Sequence, residues 1–168
     1  MRPSFERKVW NPNGWLERLR DLPRPWVFTN GVFDILHRGH VTYLDQARAQ
    51  GGSLLVALNS DASVRRLGKG DDRPINKLDD RLALVAALES VTCVTWFEED
   101  TPEQRILECM PDVLVKGGDW PVSAIVGADF VQCRGGRVMS IPFEHACSTT
   151  GLLTRIRADA SVPVPGYR

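Results

Sequence analysis

His37 and His40 stand three residues apart at the end of the string T-N-G-V-F-D-I-L-H-R-G-H, which runs from Thr29 to His40. At that spacing two imidazoles project from the same face of a helical turn. Gly31 and Gly39 let the backbone approach a ligand closely, and amides at a helix start attract anions. Imidazoles beside such a start donate hydrogen bonds to phosphoryl oxygens. Bracketing an α-phosphorus, they would stabilise the charge that develops there during in-line displacement. Two blander readings of the pair are satisfied surface histidines and a metal pair without an evident third ligand.

Three further segments carry groups of similar character. The stretch from Ser60 to Leu78 is polar and basic, with Arg65, Arg66, Lys69, Arg73 and Lys77, and is broken by Gly68, Gly70 and Pro74. It reads as a mobile loop, either a solvated charge run or a place where a triphosphate arrives. Lys116 to Asp119 puts two glycines and an acid where a strand ends, a tight turn or the wall of a site. Ser148, Thr149 and Thr150 open a helix with hydroxyls and free amides, which suit phosphates as well as ordinary capping. His145 has no evident partner and reads as a surface residue.

These segments need a frame to bring them together. WVFTN (26 to 30), SLLVALN (53 to 59), VTCVTWF (91 to 97), DVLVKGG (112 to 118) and RVMSIPF (137 to 143) are apolar runs of the kind that strands buried on both faces show. Helical patterns lie between them. One runs from His40 to Gln50, one follows Asp79 as its cap with Leu82, Val85, Ala86 and Leu88 inward, and one opens at Thr101-Pro102 and reaches about Met110. A short helix is expected near Pro121 to Ile125, and a last one, capped by Ser148, carries Leu152, Leu153 and Ile156. Parallel neighbours need helical crossovers, so the expectation is an α/β, doubly wound sheet of about five mostly parallel strands with helices on both faces. Ligands of such folds sit outside the carboxyl ends of the strands, where the strand order reverses. Residues 29 to 40, 59 to 77, 116 to 119 and 143 to 150 would converge there. Residues 1–24 read as an arm packed on the domain, 25–158 as the domain, and 159–168 as a flexible tail.

Composition removes several classes of partner. Lys and Arg number 21 against 21 Asp and Glu, a net charge of zero, so no overall field favours a nucleic-acid backbone or an anionic membrane. Cys93, Cys109, Cys133 and Cys147 are far apart and form no C-x-x-C pair, which suits reduced thiols in a cytosol. No apolar run approaches the roughly 20 residues that span a bilayer. The opening MRPSFERKVW lacks the apolar centre of a signal peptide. A soluble cytoplasmic protein is expected.

The string G-x-F-D-x-L-H-x-G-H resembles the signature of the cytidylyltransferase-like nucleotidyltransferase superfamily. The resemblance implies a Rossmann-like fold in which the two histidines contact nucleotide phosphates and assist attack at the α-phosphorus. Residues 59 to 76 (N-S-D-A-S-V-R-R-L-G-K-G-D-D-R-P-I-N), 97 to 102 (F-E-E-D-T-P), 114 to 119 (L-V-K-G-G-D) and 147 to 151 (C-S-T-T-G) together resemble its heptose-phosphate adenylyltransferase branch. The similarity covers about residues 26 to 157. It implies transfer of AMP from ATP to D-glycero-D-manno-heptose 1-phosphate, giving ADP-heptose for the lipopolysaccharide core. By the same resemblance His37, His40 and Lys69 are catalytic. Thr29, Asn30, Gly31, Phe33, Gly39, Arg81, Lys116, Gly118, Asp119, Ser148, Thr149 and Thr150 hold the nucleotide and its phosphates, and Asp34, Arg73 and Lys77 hold the sugar phosphate. Mg²⁺ is implied, bound mainly through the triphosphate with no protein ligand, as is a homodimer. Many members carry a sugar-kinase domain ahead of this one, and the chain here looks like the stand-alone form. The segment Phe143-Glu144-His145-Ala146 departs from the branch, in which Asp-Gly follows the Glu. A cytidylyltransferase acting on glycerol 3-phosphate and a non-catalytic nucleotide sensor are the alternatives.

Overall fold

In the computed structural model, which describes residues 3–68, 70, 72–145 and 148–159, the apolar runs form β1 (Trp26–Gly31), β2 (Ser53–Asn59), β3 (Cys93–Phe97), β4 (Val113–Gly117) and β5 (Arg137–Ile141). All pairings are parallel, in the order β3-β2-β1-β4-β5. Successive side chains of a strand point to opposite faces, and here both faces are apolar. Phe28, Leu55, Ala57 and Leu114 belong to one core cluster, and Val27, Leu54, Val56, Leu58 and Val115 to another. Each cluster is completed by its own helices, as burial on both sides requires. On one side α1 (Trp15–Leu19), α5 (Glu103–Cys109) and α6 (Ala128–Cys133) contribute Trp15, Leu19, Ile106, Cys109, Ala128 and Val131. On the other, α2 (Arg38–Arg48) and α4 (Leu78–Ala86) contribute Tyr43, Leu44, Ala47, Leu82 and Val85. The expected doubly wound α/β fold is therefore present, and its sheet is entirely parallel.

Several local expectations need correction. The stretch read as a loop contains α3 (Asp61–Arg66), capped where Ser60 Oγ accepts a hydrogen bond from Ser63 N at 3.1 Å. The helix expected to be capped by Asp79 starts earlier, with Lys77 as its N-cap, so Asp79 lies in the first turn of α4. The helix after β1 also starts earlier, at Arg38, with His37 as N-cap. Helix α6 was not anticipated. The expected short helix near Pro121 is a 3-10 turn at Val122–Ala124, and the last helix, α7, spans Thr149–Asp159. Lys69 and Cys147 lie outside the described residues, as does the expected tail from residue 160 onward. Ahead of β1, Trp10 and Trp15 are buried in the first cluster, while Val9 bridges Val94 and Trp10 N donates to Val94 O at 2.8 Å. The segment thus runs along the outer edge of β3.

The chain passes from β1 to β2 and β3 on one side, then crosses back to place β4 and β5 on the other. The reversal falls between β1 and β4. Strands β1 and β2 pair from Trp26–Ser53 through Gly31–Leu58, whereas β1 and β4 pair at Val27–Val113 and Phe28–Leu114 alone. Beyond those pairs the two strands part. Tyr43 of α2 fills the start of the split: its hydroxyl donates to Val115 O at 3.3 Å and lies 2.5 Å from Thr29 Oγ1. A buried hydroxyl with both neighbours satisfied holds the divergence open without leaving a polar group unpaired.

Candidate active site

Two adjoining cavities occupy this split. The first, of about 330 Å³, is lined by Asn30, Gly31 and Val32 after β1, Asn59 at the end of β2, Thr101 and Pro102 before α5, and Lys116 of β4. Leu67, Trp120, Ile125 and Val126 give it an apolar wall. Trp120 is half exposed, yet its indole is anchored, because Nε1 donates to Gly117 O at 3.2 Å and its backbone N donates to Ser140 Oγ at 3.0 Å. Gly118, with φ 113°, makes the left-handed turn that brings the indole round, a conformation that favours glycine. Lys116 Nζ reaches Asn30 Oδ1 at 3.3 Å across the split.

The second cavity, of about 310 Å³, shares Val32 with the first and is lined by Phe33, Asp34, His37, His40, Arg73, Phe143, Ser148, Thr149 and Thr150. The imidazoles of His37 and His40 stack with centroids 3.8 Å apart and planes 20° from parallel. A Cβ at Gly39 would stand 3.1 Å from the His37 ring, so glycine allows that ring to lie against the helix start. His40 is boxed by the edges of Phe33 and Phe143, at 5.3 and 6.2 Å. Burial lowers its pKa to about 4, helped by the charge of His37 and opposed by a backbone hydrogen bond at Ile35. Burial also lowers the pKa of His37. Both rings are therefore neutral near pH 7, each with one N–H to donate. Their Nδ1 atoms are buried without a hydrogen-bond partner among the described residues. Phe33 holds φ 48°, a left-handed backbone that costs a non-glycine residue of order 1–3 kcal/mol and is enriched at active sites and ligand clamps. Opposite the histidines, α7 begins with Ser148 Oγ accepting from Gly151 N at 3.0 Å.

The candidates from sequence divide cleanly. Asn30, Gly31 and Lys116 line the first cavity, and Phe33, Asp34, His37, His40, Arg73, Ser148, Thr149 and Thr150 line the second. Thr29, Gly39, Lys77, Arg81, Gly118 and Asp119 line neither. The Thr29 side chain is buried against Tyr43, Gly39 packs beneath His37, and Lys77 and Asp119 are exposed. Arg81 departs furthest from expectation. It is fully buried in α4, with Nη2 on Asp61 at 2.7 Å, Nη1 on Val32 O at 2.8 Å and Nε on Asn76 O at 3.1 Å. Each of its three nitrogens donates, tying the turn after β1 to α3 and to residue 76. Conversely, Asn59, Thr101, Trp120 and Phe143 line the cavities although none was assigned a role, and of these Asn59 and Phe143 lie in segments expected to converge there. The signal for Trp120 was its place directly after K-G-G-D, where an aromatic side chain must either pack or meet a ligand.

Among the described residues no group of three or more His, Cys, Asp or Glu is placed to hold a metal ion. Asp34, the acid in the second cavity, is engaged with Arg73 and two backbone amides. These residues do not form a protein cage for a cation.

A parallel switch-point sheet with paired histidines at the first helix start defines a class. The chain belongs to the cytidylyltransferase-like family, which it matches over residues 28–150. More narrowly, it is 60% identical over 136 residues to D-beta-D-heptose 1-phosphate adenylyltransferase of Bordetella bronchiseptica, covering 81% of this chain and 84% of that one. It is 57% identical over 134 residues to the bifunctional protein HldE of Hahella chejuensis, covering 79% of this chain and 28% of that longer one. A crystal structure of a lipopolysaccharide core biosynthesis protein from Thermoplasma volcanium superposes with a TM-score of 0.58 at 29% identity, covering 73% of this chain and 98% of that one.

Proposed function

We infer that the chain transfers AMP from ATP to D-glycero-D-manno-heptose 1-phosphate, releasing pyrophosphate and forming ADP-heptose. The observation that carries this reading is the pair of cavities meeting at Val32, one walled by apolar side chains and one framed by His37, His40 and a helix start. Identity of 60% to a heptose 1-phosphate adenylyltransferase supports the choice of acceptor. The nucleoside occupies the first cavity against Trp120, and the phosphates cross into the second. An oxygen of the sugar phosphate attacks the α-phosphorus, the new P–O bond forms, and the bond to the β-phosphate oxygen breaks with its electron pair leaving on pyrophosphate. The attacking oxygen is already anionic, so no residue has to remove a proton from it. What the protein supplies is orientation and charge stabilisation. Neutral His37 and His40 donate to the oxygens around the α-phosphorus, and Ser148, Thr149 and Thr150 meet the departing phosphates at the start of α7. Lys69 and Lys116 add positive charge, with Lys69 assigned by resemblance alone.

A divalent cation, Mg²⁺ in this reading, would neutralise part of the triphosphate's charge when bound, and no residue here is assigned to hold it. No helix among the described residues is long and apolar enough to cross a membrane. A cytoplasmic homodimer, with residues 1–24 as an arm packed on the domain, completes the proposal. The direct test is to mix the purified protein with magnesium, ATP and heptose 1-phosphate and to measure pyrophosphate. Release that requires the sugar phosphate is the expected result, and nucleotide binding without release would make the chain a sensor.

A further inference from the structure

Asp34 lines the second cavity, but its chemistry there is already committed. Its side chain is fully buried; Oδ2 accepts from Arg73 Nε at 2.5 Å and from Ile75 N at 3.0 Å, and Oδ1 accepts from Asn76 N at 2.8 Å. Its backbone carbonyl accepts from Asn76 Nδ2 at 2.5 Å. A carboxylate so placed would repel an incoming phosphate were it not neutralised by the guanidinium beside it. Arg73 is itself more than nine-tenths buried and lines the cavity alongside the two histidines and Thr149. Among the described residues its Nη nitrogens make no hydrogen bond. Pinning Nε fixes the plane of the guanidinium fork, and a fixed fork is the geometry that binds a phosphate through two parallel N–H donors.

We propose that Asp34 is a positioning residue and not a substrate ligand: it orients Arg73 so that the Nη nitrogens meet the phosphate of the acceptor, and it ties residues 75 and 76 beneath that contact. This rests on the adenylyl-transfer reading for the identity of the acceptor. Asp34→Asn keeps an oxygen for a backbone amide and replaces the partner of Arg73 Nε with an amide group that also donates.

The test measures the KM for heptose 1-phosphate, the KM for ATP and kcat in Asp34→Asn, Arg73→Ala and the double variant. Calorimetric binding of heptose 1-phosphate without nucleotide is measured on the same proteins. Each single variant should raise the acceptor KM and Kd roughly ten- to a hundredfold, the scale of losing an oriented charged hydrogen bond, with the ATP KM within about threefold. The double variant should be no worse than Arg73→Ala. Arg73→Lys keeps the charge but loses the planar fork, so Asp34→Asn should cost it less acceptor affinity than it costs the unaltered protein, which provides a second comparison where Arg73→Ala fails to fold. Independent, multiplying losses would mean that Asp34 touches the substrate itself, and equal rises in both KM values would reduce it to a structural tether; either overturns the proposal. Absence of turnover in the unaltered protein, with acceptor binding still following this pattern, would fault the adenylyl-transfer reading and leave the Asp34–Arg73 coupling standing.

Discussion

The neutrality of the stacked histidines has consequences at two pH ranges. Because burial lowers the pKa of His40 to about 4 from an ordinary 6.5, the folded state binds fewer protons than the unfolded chain between those values. Stability from this residue is complete above about 6.5 and is lost as pH falls toward 4. Melting temperature should therefore rise with pH across that window, and His40→Ala should flatten part of the slope; an unchanged slope would contradict burial as the cause. At neutral pH His40→Ala should lower kcat roughly 10²-fold or more, the scale of removing a donor that stabilises transition-state charge, with the melting temperature moving by a few degrees at most. Activity within a few-fold of the unaltered protein would remove His40 from the mechanism. Tyr43→Phe tests the wedge between β1 and β4. It strands the buried Thr29 hydroxyl and should cost about 1–3 kcal/mol in denaturant unfolding.

Among the elements, those whose hydrophobic pattern is strong were legible from sequence. SLLVALN is a strand from Ser53 to Asn59 with every residue buried, as its unbroken apolar run required. Helix α3 was hidden because its six residues bury Ser63 and Val64 alone and are followed by glycines; the readable signal was Ser60 with Asp61, a cap and a first-turn acid. Helix α6 is equally short, with Ala128 and Val131 as its buried residues. Arg81, expected among the phosphate contacts, lies fully buried outside both cavities. A cation near a basic loop resembles a phosphate ligand, yet position 81 lies four before Val85, on the inward face of α4, and the acid that satisfies it, Asp61, belongs to the helix that was missed. The three-residue spacing of His37 and His40 is local information, whereas the Asp34–Arg73 pair spans 39 positions and no local pattern announces it. The segment before β1 offers a test at this scale. Trp15 is 1% exposed in the core cluster, so Trp15→Ala should cost about 3–5 kcal/mol of stability while leaving KM for ATP unchanged. A loss below about 1 kcal/mol would mean that the arm is dispensable to the core.

For the whole molecule, the fold restricts chemistry less than the site does. A parallel sheet with a phosphate-binding switch point serves many acceptors. Selectivity must come from the cavity walls. A site that hydrogen-bonds several sugar hydroxyls rejects an acceptor that lacks them, because its own polar groups would be left unpaired. The most direct measurement is a panel in which the purified protein, with magnesium, meets ATP or CTP together with heptose 1-phosphate or glycerol 3-phosphate, and both pyrophosphate and the nucleotide-linked product are quantified. ATP with heptose 1-phosphate should exceed every other combination in kcat/KM by at least about 10²-fold. Faster turnover of CTP with glycerol 3-phosphate would contradict the assignment of substrate.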